Sequence, residues 1–355
     1  MISPIAKKLL RWYAAQKRNL PWRADPQPYA VWVAEIMAQQ TRLEAMLPYY
    51  ARWMRLYPSI RALARSAEQD VLALWEGLGY YSRARNLRRA AKVVMTEYDG
   101  RLPSTVEELR RLPGIGAYTA GAIASLAFGA DAPAVDGNAV RVLSRLFDVT
   151  EPASSAPAQK LFWALAAQHL PPGRGAAYNQ ALMDLGAQVC TPRQPRCGLC
   201  PLRAECRAAT LGIQEQRPVK IRSQAPPRRN FVAAVVQQRG SVLVMQRPAA
   251  GLLAGMWEFP NAPLRNQRGA KAALRKELEQ SLGLFLPFEE RLGEFEHAYS
   301  HFSVRLQVFH QSLDGVRPKV NTKRNYRWLP IRQLDGLPMG RLDRRIADVL
   351  RAGIE

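Results

Sequence analysis

A chain of 355 residues with 48% hydrophobic content is long enough to fill two cored domains. Its 51 Lys and Arg against 29 Asp and Glu leave a net +22, spread over both halves, so a polyanion is the expected partner. A membrane surface is disfavoured because no Lys/Arg-rich amphipathic anchor stands out, and a secreted disulfide-built chain because no signal peptide or spanning apolar run is seen.

Segments 29–41, 60–75, 83–98, 105–112, 117–128, 138–147 and 158–169 carry apolar residues at three- and four-residue spacing, so an all-α first part is expected. The first of them, PYAVWVAEIMAQQT, is apolar over most of its surface and places Glu35 among Trp32, Val33, Ile36 and Met37. A carboxyl there lies either on a solvent face or in a dry pocket that raises its pKa, and periodicity leaves both open. In STVEELRRLPGIGAYTAGAIASLAFG, Ser104 and Glu107 suggest a capping box, and Pro113-Gly114-Ile115-Gly116 a tight hairpin before a small-residue helix. Gly114 and Gly116 permit positive φ and close backbone approach, so consecutive N–H groups can face one phosphate. This is a helix-hairpin-helix pattern, although an L-P-G turn also serves packing alone. Next, Val135-Asp136-Gly137-Asn138 opens a helix whose Val140, Leu143, Leu146 and Phe147 face a core. An Asp at that place is by default an N-cap.

All four cysteines, Cys190, Cys197, Cys200 and Cys206, fall within 17 residues as C-x6-C-x2-C-x5-C. Four thiolates without a histidine satisfy a [4Fe–4S] cluster. Structural zinc more often pairs two C-x2-C knuckles or mixes Cys with His, and only one C-x2-C is present. Either metal implies a reducing compartment. After the last cysteine the chain becomes polar and Pro-punctuated, so 209–229 is expected to be a linker. Beyond it, FVAAVVQQRG, SVLVMQR and FSVRLQVFH read as strands, with one amphipathic helix around 270–283. An all-α domain joined to an α+β domain follows.

Taken in order, the motifs LPWR at 20–23, WVAEIMAQQT at 32–41, GLGYYSRARNL at 77–87, LPGIGAYTAGAI at 112–123, VDGNAVRVLSR at 135–145 and YNQALMDLGAQVC at 178–190 closely resemble the endonuclease III superfamily of DNA glycosylases. Within it the resemblance is to the MutY family of adenine glycosylases, and it spans almost the whole chain. It implies a multidomain protein: a helix-hairpin-helix glycosylase domain at 1–208, divided into a six-helix part at about 22–130 and a cluster part at about 1–21 and 131–208, then the linker and a Nudix (MutT-like) domain at 230–355.

The resemblance also implies roles. Glu35 matches the general acid that protonates adenine at N7, and Asp136 the carboxylate that meets the oxocarbenium-like sugar at C1′. Tyr118 and Asn138 match residues that position Asp136 and the attacking water. Two carboxyls in opposite protonation states are what glycoside hydrolysis needs. Adenine must be flipped from the duplex, with Gln40, Leu78 and Tyr80 matching wedge residues and Arg23 and Trp22 the lining of the base pocket. Bifunctional relatives carry a Schiff-base lysine two residues after the second hairpin glycine; here that residue is Tyr118, so no lyase step is expected. In the C-terminal part, Gln280 and Ser281 replace the paired glutamates of the Nudix hydrolase motif, which argues against a nucleotide-pool hydrolase. The loop Tyr299-Ser300-His301 matches a Phe-Ser-His loop that reads 8-oxoguanine, with Tyr in place of Phe.

The expected substrate is therefore duplex DNA holding adenine opposite 8-oxoguanine or guanine, bound by a monomer in a bacterial cytoplasm at the nucleoid. The short stretch before LPWR leaves no room for a transit peptide. Alternatives are an endonuclease III-like pyrimidine glycosylase with lyase activity, opposed by Tyr118, and a non-catalytic DNA-binding protein stapled by metal.

Overall fold

The structure, a computed structural model, describes residues 2–221, 226–264, 269–288, 290–314 and 317–353. Contacts divide the chain into two compact units, one of residues 1–66 and 85–223, the other of residues 67–84 and 224–355.

Among its described residues the first unit holds helices and no strand. One core gathers Leu9 of helix Pro4–Gln16, Val142 and Leu143 of Gly137–Leu146, Phe162 of Ala156–His169, and Tyr178 and Leu182 of Gly175–Gln188. Helix Pro28–Ala38 packs against Ala117–Phe128. The second of these is built of small residues, and at Gly121 a Cβ would lie 2.1 Å from the carbonyl oxygen of Pro133. Only glycine lets the loop that leads to Asp136 run so close.

The hairpin before that helix differs in one detail from expectation. The cap is Thr105, not Ser104: its hydroxyl accepts from Glu108 N at 3.2 Å and donates to Glu108 Oε2 at 2.9 Å. A start one residue later turns Leu109 fully inward, and burying that side chain outweighs the choice between two similar caps. Gly114 has φ +81°, and a Cβ on it would stand 2.7 Å from Asn86 Cβ, so both conformation and space demand glycine.

In the second unit seven strands, Arg228–Gln238 (β1), Ser241–Gln246 (β2), Trp257–Glu258 (β3), Asn261–Leu264 (β4), Glu290–Ala298 (β5), Ser303–Ser312 (β6) and Tyr326–Pro330 (β7), make one mixed sheet. Its path runs β3-β2-β1-β6-β5, with β4 on β1 and β7 on β2. β1 and β6 are parallel, with Ala233 opposite Val308, and the other pairings are antiparallel. Alternation decides the two faces. Ala233, Val235, Val242 and Val244 meet Leu342 and Ile346 of helix Arg341–Ala352, whereas Val232, Ala234, Val236 and Leu243 meet Leu274 and Leu278 of helix Ala270–Leu282. β1 is the central strand covered on both sides, which is why FVAAVV is continuously apolar. Helix Glu68–Trp75 and the loop after it belong to this unit by their contacts.

Candidate active site

Helix Pro28–Ala38 is apolar on every side, so Glu35 at its middle is carried inward with its neighbours and is only 6% exposed. The Tyr118 hydroxyl, in the first turn of Ala117–Phe128, donates to Glu35 Oε2 at 2.6 Å. Burial pushes the Glu35 carboxyl up to about 7; the Tyr118 hydrogen bond and the charge of Arg23 oppose this, and the charge of Asp136 adds to it. The dry pocket is thus the alternative that holds. The Tyr118 hydroxyl thus bonds directly to Glu35, and the charges of both Glu35 and Asp136 act on it.

Asp136 caps helix Gly137–Leu146, its Oδ1 accepting from Ala139 N at 2.7 Å and its Oδ2 from Asn138 Nδ2 at 2.7 Å. The cap and the candidate carboxylate are one residue: the hydrogen bonds that end the helix also aim the side chain. Burial pushes its pKa up, and the Ala139 and Asn138 donors with the charge of Arg141 hold it down. Arg141, which sequence reasoning missed, donates to Asn138 Oδ1 at 2.7 Å, to the carbonyl of Gly186 at 2.8 Å and through Nε to the carbonyl of Cys190 at 2.7 Å. It ties the cap to the start of the cysteine segment. Asn179, also missed, is fully buried and holds the incoming loop by accepting from Ala134 N and donating to Ala132 O and Ser125 Oγ. Asn179 and Asp184, polar residues inside the largely apolar pattern YNQALMDLGAQVC, were the available signal for the second of these.

Asp184 anchors the candidate base-pocket residues. It is fully buried and accepts from Arg23 Nη1 and Nη2 at 2.7 and 3.0 Å and from Arg18 Nε at 2.7 Å, and these cations keep its carboxyl below the usual range. Arg23 is therefore fixed as a fork, with its Nε buried and without a hydrogen-bond partner. Trp22 is buried with its ring 4.9 Å from that of Tyr50. Gln40 is exposed just past helix Pro28–Ala38, at φ +54°.

Cys190, Cys197, Cys200 and Cys206 are free, half-buried and line one cavity together with Arg145 and Val189. Arg145 is 2% exposed and directs Nη1 at Cys190 Sγ, 3.3 Å away, while donating to the carbonyls of Thr191 and Arg217. Burial pushes the Cys200 thiol up to about 11, and the other three sulfurs push the same way. No group of three or more His, Cys, Asp or Glu that could hold a metal ion occurs among the described residues.

In the second unit, Tyr299 and Phe302 stack at 4.9 Å across a turn closed by Tyr299 N donating to Phe302 O at 2.8 Å. The turn leaves Ser300 and His301 exposed. Tyr80, 40% exposed at φ +47°, shares a hydrogen bond between its hydroxyl and that of Ser300. Leu78, two residues before it, is only 8% exposed. On helix Ala270–Leu282, Gln280 is exposed and Ser281 Oγ donates to Glu277 Oε1 at 2.5 Å, so no pair of adjacent glutamates is present there.

Comparison with known proteins agrees with both units. Residues 33–168 match the HhH-GPD superfamily base excision DNA repair protein model, and residues 231–349 the NUDIX domain model. The chain is 38% identical to adenine DNA glycosylase of Rattus norvegicus over 92% of this chain and 74% of the relative. With that of Homo sapiens it shares 37% over 90% and 69%, and with that of Buchnera aphidicola subsp. Schizaphis graminum 28% over 97% of both. A thermostable thymine-DNA glycosylase structure superposes with TM-score 0.54 at 29% identity, covering 58% of this chain and 95% of that one. A non-covalent endonuclease III–DNA complex gives TM-score 0.52 at 22% identity, covering 59% and 95%, and shows the shared fold. With a buried Glu35 held by Tyr118, a capping Asp136, and likeness to these relatives over nine-tenths of its length, the chain belongs to the adenine DNA glycosylase family.

Proposed function

We propose that this chain hydrolyses the N-glycosidic bond of adenine lying opposite 8-oxoguanine or guanine in duplex DNA and leaves an abasic site uncut. One observation carries the reading: two carboxyls in unlike surroundings, buried Glu35 raised to about 7 beside the Tyr118 hydroxyl and half-buried Asp136 held by two donors at a helix start. Protonated Glu35 gives its proton to adenine N7; the C1′–N9 bond then breaks with its electron pair leaving on neutral adenine. Negative Asp136 stabilises the positive sugar, water adds at C1′, and the ionised Glu35 takes the proton that water loses. Asn138 keeps Asp136 oriented, and Arg23, fixed by Asp184, with Trp22, shapes the base site. Tyr118 stands where a lyase would need an amine, and burial raises its hydroxyl pKa well above the ordinary value, so it supplies no nucleophile.

Phosphate binding fits the hairpin: Gly116 begins helix Ala117–Phe128 without a side-chain cap, so its first N–H groups are free of one, and Gly114 shapes the turn. Gln40 and Tyr80, exposed at positive φ, are read as the residues that enter the stack, with buried Leu78 supporting Tyr80. Tyr299, Ser300 and His301 are read as contacting the base opposite adenine. The four cysteines fit a [4Fe–4S] cluster: they share one cavity without pairing, a buried arginine faces them, and a cluster with one thiolate per iron spaces its ligands more widely than a single ion does. Bound there, it would tie the segment from Cys190 to Cys206 together. We read 1–208 as the glycosylase domain, 209–229 as the connector and 230–355 as the recognition domain. One chain carries every group named, so a monomer at the bacterial nucleoid suffices. No described helix is long and apolar enough to cross a membrane.

The test is a single-turnover assay on an 8-oxoguanine:adenine duplex, with and without alkali. Glu35→Gln should bind as the parent does and lose about 10²–10⁴-fold in adenine release. Turnover within threefold of the parent would remove Glu35 from the acid role.

A further inference from the structure

Residues 67–84 lie inside the sequence match to the glycosylase superfamily, yet their contacts group them with the C-terminal sheet. Two side chains of this segment bond to residues that follow the sheet's first strands. Gln69, on helix Glu68–Trp75, accepts from Trp257 Nε1 at 2.9 Å and donates to the carbonyl of Gly255 at 2.9 Å. Glu76, at the end of that helix, accepts from Arg344 Nε at 2.6 Å and Nη2 at 3.1 Å and from Met339 N at 3.0 Å. The Arg344 guanidinium is itself locked by the carbonyls of Leu334 and Leu337, so the fork that Glu76 meets is pre-formed. Four residues beyond Glu76 the chain presents Tyr80, hydroxyl to hydroxyl with Ser300. Inside the loop, Trp75 Nε1 donates to Gly79 O at 3.0 Å, so the turn that carries Tyr80 is stiff with respect to the anchored helix.

We propose that Gln69 and Glu76 are positioning residues that hold Tyr80 against Ser300, so that the base opposite adenine is read by a pair of hydroxyls on one rigid body and not by the loop 299–301 alone. The proposal rests on the reading of that loop as the contact to this base. It requires that Tyr80 and Ser300 act jointly, and only while the anchors are present. Neither anchor touches substrate in this scheme, so losing them changes which opposite base is preferred and not the chemistry at Glu35.

A double-mutant cycle of Tyr80→Phe and Ser300→Ala, measured in the full chain as the ratio of adenine-excision rates opposite 8-oxoguanine and opposite guanine, tests this. In the parent the two substitutions should be coupled by roughly 3- to 10-fold. In a Gln69→Ala/Glu76→Ala background the coupling should vanish and the ratio itself fall by a similar factor, with excision opposite guanine changed less than twofold. Thermal melting checks that this background folds; if it does not, Glu76→Gln, which keeps the side-chain shape, is read in its place and should weaken the coupling. Coupling that survives intact in the anchor variants overturns the positioning role, and so does additivity in the parent. Ser300→Ala leaving the parent ratio unmoved is a different failure: it removes the underlying reading of the loop, and this proposal with it.

Discussion

Glu35 shows how one buried carboxyl ties stability to activity. Its pKa in the fold, about 7, lies above the ordinary 4.5, so the folded state binds a proton that the unfolded chain releases between these values. Below pH 4.5 both states are protonated and burial carries no charge penalty. The penalty grows as pH rises to about 7 and is constant above, reaching up to roughly 3 kcal/mol. Glu35→Gln should therefore melt at a higher temperature than the parent at pH 8, with the gap closing towards pH 4.5. A gap independent of pH would mean the carboxyl is not buried as described. The excision rate should fall as pH rises through about 7, because the general acid is then lost. Tyr118→Phe removes the hydrogen bond that lowers the Glu35 pKa, so the alkaline limb of that profile should move to higher pH. Movement to lower pH would show that the hydroxyl serves Glu35 in another way.

Among the elements, the hairpin and the capped helix place the chemistry. Gly114→Ala forces an L-residue into the left-handed region, costing about 1–2 kcal/mol, and pushes on Asn86. It should weaken duplex binding for all sequences alike, and the slope of log affinity against log salt should shrink by about one if a single phosphate contact is lost. An unchanged slope would place the phosphate elsewhere. Arg141 joins the Asp136 cap to Cys190 by three hydrogen bonds, and Arg141→Met leaves the Asn138 and Cys190 carbonyls without that donor. A lower melting temperature together with slower excision, each from about 1–3 kcal/mol, is the expected outcome. Normal excision at a lowered melting temperature would reduce Arg141 to a structural role.

At the scale of the molecule, the cysteine segment is short of apolar residues and holds only turns and short helical pieces from Cys197 to Thr210, so it needs a covalent or metal staple more than the rest of the first unit. Purified protein should be brown, with iron and acid-labile sulfide in near-equal amounts; zinc near one equivalent would decide for the other metal. Cys200→Ser should lose the colour and lower the melting temperature of the glycosylase unit. The sheet unit keeps the Nudix architecture, while Ser281 occupies Glu277 where a metal-binding carboxylate pair would stand. Added Mg²⁺ should leave its melting temperature unchanged.

Local pattern was enough for much of this. The period-3.6 segments, the strand alternation of FVAAVVQQRG and the cysteine spacing depend on neighbours in the chain, so the helical part, the sheet, the hairpin and the four thiols were legible before any coordinates. Glu35 and Asp136 could be named because each sits in a long motif. Which of the two states Glu35 adopts depended on what covers its helix, and that is a matter of packing. For the same reason the bond from Tyr118 to Glu35 could not be read in advance, and Thr105 displaced Ser104 once Leu109 had to be buried. Asp184, Asn179 and, in its bonds to Gly186 and Cys190, Arg141 are polar residues whose partners lie 45 to 166 positions away, and no short window of sequence contains both ends of such bonds. The grouping of residues 67–84 with the C-terminal sheet is of this kind too: Gln69 and Glu76 look like ordinary solvent-facing helix residues until Trp257 and Arg344 are folded against them.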